Sequence, residues 1–279
     1  MKNLGYYNGE FGPLEEMTVP MNDRACYFGD GVYDATYTRN YIIFTLDEHV
    51  ERFYHSAALL GIELAQSKEE LKSILNDMLR KMDTGENFVY WQATRGTAVR
   101  GHAFPEGARP NLWVMIRPVG VVPLETRVKL ITVEDTRYLH CNIKTLNLLP
   151  NCMASEQAKL AGADEVIFHR NGRVTECAKS NCHIIKDGVF VTAPADHLIL
   201  PGIARAHLIK ACGTLDIPVE ERPYTVNDVF AADEVLISSA GSFGLAAEAV
   251  DGKPVGGRAP ELIAKLHIHL WGEFIQATN

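Results

Sequence analysis

The chain has 279 residues, 47% of them hydrophobic and 22% charged, enough for one large or two medium globular domains with a substantial core. A net charge of −8 and a pI near 5.7 speak against a nucleic-acid or anionic-membrane surface, both of which favour basic patches. No stretch is apolar over the length a bilayer needs and the N-terminus lacks an apolar leader core, so a cytoplasmic protein with a small-molecule partner is expected.

Residues 6–11 (YYNGEF) read as strand, turn and strand, and residues 23–44 offer two β-rich segments with a hairpin turn at Arg39–Asn40. A helix follows over Leu46–Leu60, with Val50, Phe53, Ala57 and Leu60 at helical spacing. Ser67 then caps a helix over 68–82, with Glu70 at the capping-box position and Leu71, Ile74, Met78 and Leu79 on one stripe. Two strands, 88–96 and 111–119, flank a polar loop rich in Gly, Pro and Arg; such loops carry function more often than the strands that hold them.

A boundary falls near Val119–Leu124, giving a small N-terminal domain over 1–120 and a larger, strand-rich domain over 121–279. In the second half, 127–134, 164–170, 173–178, 181–188 and 189–194 read as strands. Helices are expected at Cys152–Ala161, Ile203–Thr214, Val226–Ala231 and Pro260–Gln276, with a strand–turn–strand at 233–252. The class is mixed α/β without the regular βαβ succession of a Rossmann fold.

Several residues could carry chemistry. Lys144 lies in an apolar, amide-rich run (RYLHCNIKTLNLLPN, 137–151); desolvation there lowers an amine pKa and makes a Schiff-base nucleophile, although a snorkelling strand-end lysine gives the same pattern. Pro201–Gly202 opens a helix whose first amides, Ile203 and Ala204, suit an anion, as do the hydroxyls and amides of the Ser238–Gly244 turn. Glu176 is either a solvated strand-end carboxylate or a buried partner for a protonated heterocycle. Arg100 and His102, one glycine apart on the central loop, form a surface pair or a carboxylate clamp. There is no HExxH, GxSxG or GxxxxGK[ST] pattern, so no metal site, hydrolase elbow or P-loop is expected. The six cysteines (26, 141, 152, 177, 182 and 212) lack CxxC spacing and read as reduced thiols.

Five motifs in order, FGDGVYDATYTRN (28–40), HVERF (49–53), NIKTLNLLPNCMASEQA (142–158), VTECAKSN (174–181) and LPGIAR (200–205), resemble the fold-type IV pyridoxal-phosphate enzymes over about Tyr6–Gly252. That family includes branched-chain, D-amino-acid and (R)-amine transaminases and aminodeoxychorismate lyases. The resemblance implies a two-domain fold with the cofactor in the C-terminal domain. It implies Lys144 as the cofactor-bearing catalytic lysine, Arg52 at the cofactor phosphate with Ile203, Ala204, Ser239 and Ala240, and Glu176 at the pyridine nitrogen. The Arg100-x-His102 pair with Tyr33 resembles the carboxylate trap of the D-amino-acid subgroup, supplied there by a neighbouring subunit. It implies a homodimer acting on D-alanine or D-glutamate with 2-oxoglutarate or pyruvate. The alternatives are (R)-amine or branched-chain L-amino-acid transamination, the lyase reaction, or a cofactor-free binding protein.

The chain departs from the family pattern at Asp34, where relatives carry glutamate, and at Ala240, in a turn where they place threonines. It departs again at Lys179, where they carry small residues. Lys179 is expected in solvent, at a substrate carboxylate, or as an electrostatic influence on the cofactor.

Overall fold

The computed structural model describes residues 2–279, which divide into two compact units. The first holds the chain up to Val121 together with Ile143–Asn147 and Ile275–Asn279; the second holds Val122–Asn142 and Leu148–Phe274. The five residues around Lys144 thus belong with the N-terminal elements, whereas the rest of the 137–151 run belongs to the second unit.

The first unit is built on a six-stranded sheet with strands β1 (Leu4–Tyr7), β2 (Glu10–Pro13), β3 (Gly31–Arg39), β4 (Ile42–Ile43), β5 (Asn87–Thr94) and β6 (Asn111–Arg117), in the order β2-β1-β6-β5-β3-β4. Helix α2 (Leu46–Leu59) buries Val50, Phe53 and Ala57, and α3 (Lys68–Leu79) buries Leu71, Leu75, Met78 and Leu79, each at helical spacing. They share a core with Val89, Trp91 and Ala93, alternate residues of β5. Burial of side chains such as Phe53 stabilises by roughly 1.5–3 kcal/mol each. The expected capping box is present: Glu70 N donates to Ser67 Oγ at 3.2 Å and Ser67 N donates to Glu70 Oε2 at 2.7 Å.

The N-terminal half departs from the sequence reading at three places, the first being α3, expected over 68–82, which ends at Leu79 with Arg80 as its C-cap. Residues 24–28, expected within a β-rich segment, form a short helix α1 (Arg24–Phe28), because Asp23 accepts from Ala25 N at 2.8 Å and Gly29 closes it in the left-handed conformation. The β3–β4 turn falls at Asn40–Tyr41, both with positive φ, one residue beyond the expected position.

The second unit carries a nine-stranded mixed sheet. Its strands are β7 (Val128–Glu134), β8 (Glu165–Arg170), β9 (Arg173–Val174), β10 (Asn181–Lys186), β11 (Val189–Thr192), β12 (Val219–Glu221), β13 (Glu234–Ser238), β14 (Leu245–Val250) and β15 (Lys253–Pro254). The order is β12-β11-β10-β13-β14-β7-β8-β9, with β15 on β14; β7–β8, β7–β14 and β11–β12 are parallel. Helices α4 (Leu149–Leu160), α5 (Ile203–Thr214), α6 (Val226–Ala231) and α7 (Pro260–Ala277) complete the fold, the last three within one residue of expectation. Helix α4 starts three residues earlier than expected, with Pro150 in its first turn, where a missing N–H costs nothing. The strand expected over 173–178 stops at Val174. Beyond it the ladder turns irregular: Thr175 N still donates to Phe168 O at 2.9 Å and Phe168 N to Glu176 O at 2.7 Å, two residues facing one, while the Thr175 and Glu176 side chains turn to buried polar partners.

Among the described residues no helix is long and apolar enough to cross a membrane, and no group of three or more His, Cys, Asp or Glu side chains could hold a metal.

Candidate active site

In the first unit, Lys144 is fixed by its own backbone. Tyr33 N donates to Lys144 O at 3.0 Å, Leu146 N to Gly31 O at 3.0 Å, and Val32 and Thr145 form an antiparallel bridge, so the run continues the sheet beyond β3. The half-buried ammonium of Lys144 then lies 4.4 Å from the centroid of the Tyr33 ring. Tyr33 stacks on Tyr90 at 5.3 Å, and the Tyr90 hydroxyl donates to Gln92 Oε1 at 2.8 Å, which fixes the ring plane.

One residue along β3 the strand alternation sends Asp34 into the core, where it is fully buried. Arg52 grips it with two donors, Nε at 2.9 Å and Nη2 at 2.7 Å, and His49 Nδ1 lies 2.7 Å from Oδ1. Burial alone would raise the Asp34 pKa; the Arg52 charge and the His49 contact overcome it and hold the carboxyl well below the usual range. Burial, with Arg52 and Lys144 nearby, lowers the His49 pKa against the pull of Asp34, so a neutral His49 donates from Nδ1. Arg52, expected at a phosphate, is therefore oriented by a buried carboxylate.

Arg100 and His102 are exposed on the loop between β5 and β6. Within the chain they gather around Phe28, the guanidinium 5.1 Å and the imidazole 5.3 Å from its ring centroid, whereas Tyr33 lies against Lys144.

In the second unit, Glu176 is buried and three donors converge on it: Arg137 Nη1 at 2.5 Å on Oε1, and Asn181 Nδ2 at 3.1 Å and Leu200 N at 3.0 Å on Oε2. Arg137 is in turn held by Asp135, through Nε at 3.0 Å and Nη2 at 2.9 Å, and its pKa is raised by Asp135 and Glu176 against the opposing effect of burial. Sequence reading passed over Arg137, although an Asp-x-Arg step leading into the lysine run is the visible signal.

Ile203 and Ala204 open α5 behind Gly202, which offers no side-chain cap; a Cβ at Gly202 would collide with Asn181 Oδ1. Arg205, next in line, donates from Nε to Thr192 Oγ1 at 3.2 Å; that hydroxyl is 2.9 Å from His183 Nδ1, and His183 Nε2 is 2.8 Å from Ser238 Oγ. A buried polar line thus ties the start of α5 to the end of β13, where the turn begins. In that turn Ser239 and Ser242 share a 2.7 Å hydroxyl contact, and Ala240 contributes no polar side chain. Lys179 is exposed, and its charge acts on Glu165, whose carboxyl burial pushes up.

Chemically, these residues offer an amine beside an aromatic face, a carboxylate held in one orientation, and uncapped amides with hydroxyls suited to an anion. The family described as amino-transferase class IV matches residues 31–248. The chain is a class IV aminotransferase. This aminotransferase is 38% identical over 261 residues to the D-alanine aminotransferase of Bacillus licheniformis, with 93% of the chain and 92% of the relative covered. It is 40% identical over 253 residues to that of Staphylococcus aureus strain MSSA476, with 90% of each covered. Among solved structures, the branched-chain amino acid aminotransferase of Escherichia coli shares the fold at a TM-score of 0.91 and 24% identity, over 100% of this chain and 97% of that one. The branched-chain aminotransferase of the thermophilic archaeon Thermoproteus uzoniensis, solved with norvaline, matches at a TM-score of 0.87 and 24% identity, over 98% of this chain and 96% of that one.

Proposed function

We propose that this class IV aminotransferase uses pyridoxal 5'-phosphate to move amino groups between D-amino acids and 2-oxo acids, with D-alanine or D-glutamate as donor and 2-oxoglutarate or pyruvate as acceptor. The observation that carries this reading is the 38–40% identity to D-alanine aminotransferases over nine-tenths of the chain. The Arg100-x-His102 pair on an exposed loop supports it.

The residues fit the cofactor. A phosphate needs donors: the uncapped amides at Ile203 and Ala204, the Ser239–Ala240 turn and the Arg52 charge would hold it. A protonated ring nitrogen needs a fixed anion, and Glu176 is held by three donors. When bound, pyridoxal phosphate supplies an aldehyde for the amino group and a ring that withdraws the electrons released at Cα.

Lys144 would hold the cofactor covalently until substrate arrives, and its amine, once free, would be the base that takes the proton from substrate Cα and the acid that gives it back. Glu176 would face the ring nitrogen and favour its protonated form, with Arg137 and Asn181 preventing the carboxylate from turning away. Arg100, His102 and Tyr33 bind the α-carboxylate; the side on which they hold it decides which face of Cα–H meets Lys144, and hence D over L. In this reading Arg100 and His102 serve the site of a second copy, which makes the enzyme a homodimer. Lys179 would lie at its rim.

The test is the visible absorption of the cofactor-loaded protein on adding D-alanine or L-alanine separately, with Lys144→Ala as control. Loss of the band with the D isomer alone, and no band of the lysine-bound cofactor in Lys144→Ala, is the expected result. A response to L-alanine alone, or to neither, returns the chain to the branched-chain, amine or lyase alternatives.

A further inference from the structure

Arg24 has no part in the chemistry above, yet it is 2% exposed and every donor group of its guanidinium is engaged. Nε donates to Asp30 Oδ2 at 2.7 Å; Nη1 donates to Gly101 O at 2.7 Å and lies 3.3 Å from Ala103 O; Nη2 reaches His102 O at 3.4 Å. The three carbonyls belong to consecutive residues of the loop that carries Arg100 and His102, and all three residues are exposed. An outward-facing loop is thus gripped by its backbone from a buried point.

The grip is itself braced. Asp30 also accepts from Arg95 Nε at 2.9 Å, Arg95 donates to Leu60 O at 2.8 Å and Gly61 O at 3.1 Å, and its guanidinium lies 3.4 Å from the ring centroid of Phe104, one residue past the gripped segment. At the loop base, Arg24 N donates to Gly96 O at 2.9 Å and Ala98 N to Asn22 O at 3.1 Å. Gly96 has φ +114°, and a Cβ there would strike the Arg109 carbonyl, so the loop's two ends meet at a point open only to glycine. The Phe28 ring is shared by the Arg24 guanidinium at 4.9 Å, Arg100 at 5.1 Å and His102 at 5.3 Å, which places an aromatic face beside two cations.

We propose that Arg24, braced by Asp30 and Arg95, is the positioning residue of the substrate-carboxylate loop: it fixes the Gly101–Ala103 backbone so that Arg100 and His102 stand as a preformed pair. The inference rests on the carboxylate role given to that pair under the proposed function. A loop ordered before substrate arrives spares the substrate the entropy of ordering it, so the anchor acts on carboxylate binding. A lysine cannot replace it, because one ammonium cannot reproduce the planar fork that spans Asp30 and three carbonyls.

The experiment compares Arg24→Lys, Arg100→Ala and the double variant, all loaded with cofactor, with D-alanine as donor. Arg24→Lys is expected to raise KM roughly tenfold with kcat and the cofactor absorption band little changed, and to raise it by a smaller factor in the Arg100→Ala background, where His102 alone is left to position. An unchanged KM, an equal KM increase in both backgrounds, or a loss shared between kcat and cofactor retention overturns the proposal. A KM effect of Arg100→Ala without one from Arg24→Lys removes the anchor alone; an Arg100→Ala variant with normal KM removes the carboxylate reading as well. Should Arg24→Lys fail to fold, Phe104→Ala, at an exposed position, carries the same test: it removes the Arg95 contact and is expected to raise KM about threefold, and by less in the Arg100→Ala background. An unchanged KM there overturns the proposal.

Discussion

Asp34 shows how much a single buried carboxylate organises. Its burial is tolerable because Arg52 supplies two donors and His49 a third, and all three groups sit on elements the core already fixes. Asp34→Asn leaves Arg52 facing a neutral amide in a buried site and is expected to cost about 3–5 kcal/mol, read as a lower urea midpoint. The sequence showed Asp34 only as a shortened relative of the expected glutamate. It could not show the partners, because His49 and Arg52 approach from a helix and the pairing depends on which face of β3 is buried. Arg24 stayed hidden for the same reason: the three carbonyls it grips lie 77 to 79 residues away on a loop without periodicity.

Elements were legible where local chemistry decides them. Helix α3 announces itself by a capping box and an apolar stripe, and Ser67→Ala is expected to lower stability by about 1 kcal/mol, measurable as a shifted denaturation midpoint with unchanged kinetics. Helix α1 has neither signal over its five residues. It forms because Asp23, its N-cap, also accepts from Thr94 Oγ1 at 2.9 Å and Asn111 Nδ2 at 2.8 Å, contacts that exist only once the sheet is assembled. Residues 175–178 misled in the opposite direction. Their composition favours a strand, and Thr175 and Glu176 do keep backbone bonds to Phe168, but two residues facing one end the regular register, and their side chains go to Asp135 and Arg137. The motif singled out Lys144 but did not show its place in the first unit, since the backbone bonds that put it there come from β3, more than a hundred residues earlier.

At the scale of the molecule, buried histidines set the acid limit. Burial, with Arg205 nearby, depresses the His183 pKa to about 3, against about 6.5 in an unfolded chain. Between those values the unfolded state binds a proton the folded state does not, so stability falls as pH drops, by about 1.4 kcal/mol per pH unit through the window. His49 is shifted in the same direction, and Asp34, also depressed, adds its own loss once pH falls below the usual carboxylate range. Denaturation midpoints measured from pH 7 to 4 are expected to decline steadily, and His183→Phe, which removes a titrating group, is expected to flatten the decline.

The division of the chain also imposes an order on its birth. The first unit contains residues 143–147 and 275–279 as well as the N-terminal elements, and buried Thr278 accepts at its carbonyl from Asn40 Nδ2 at 3.1 Å. During synthesis the ribosome delivers β1–β6 first, but the segment bearing Lys144 follows later, and Thr278 emerges only after the whole second unit has been made. The nascent N-terminal sheet must therefore wait, incomplete, while a second nine-stranded sheet is translated, and its lysine-bearing edge is finished well before its last hydrogen bonds close.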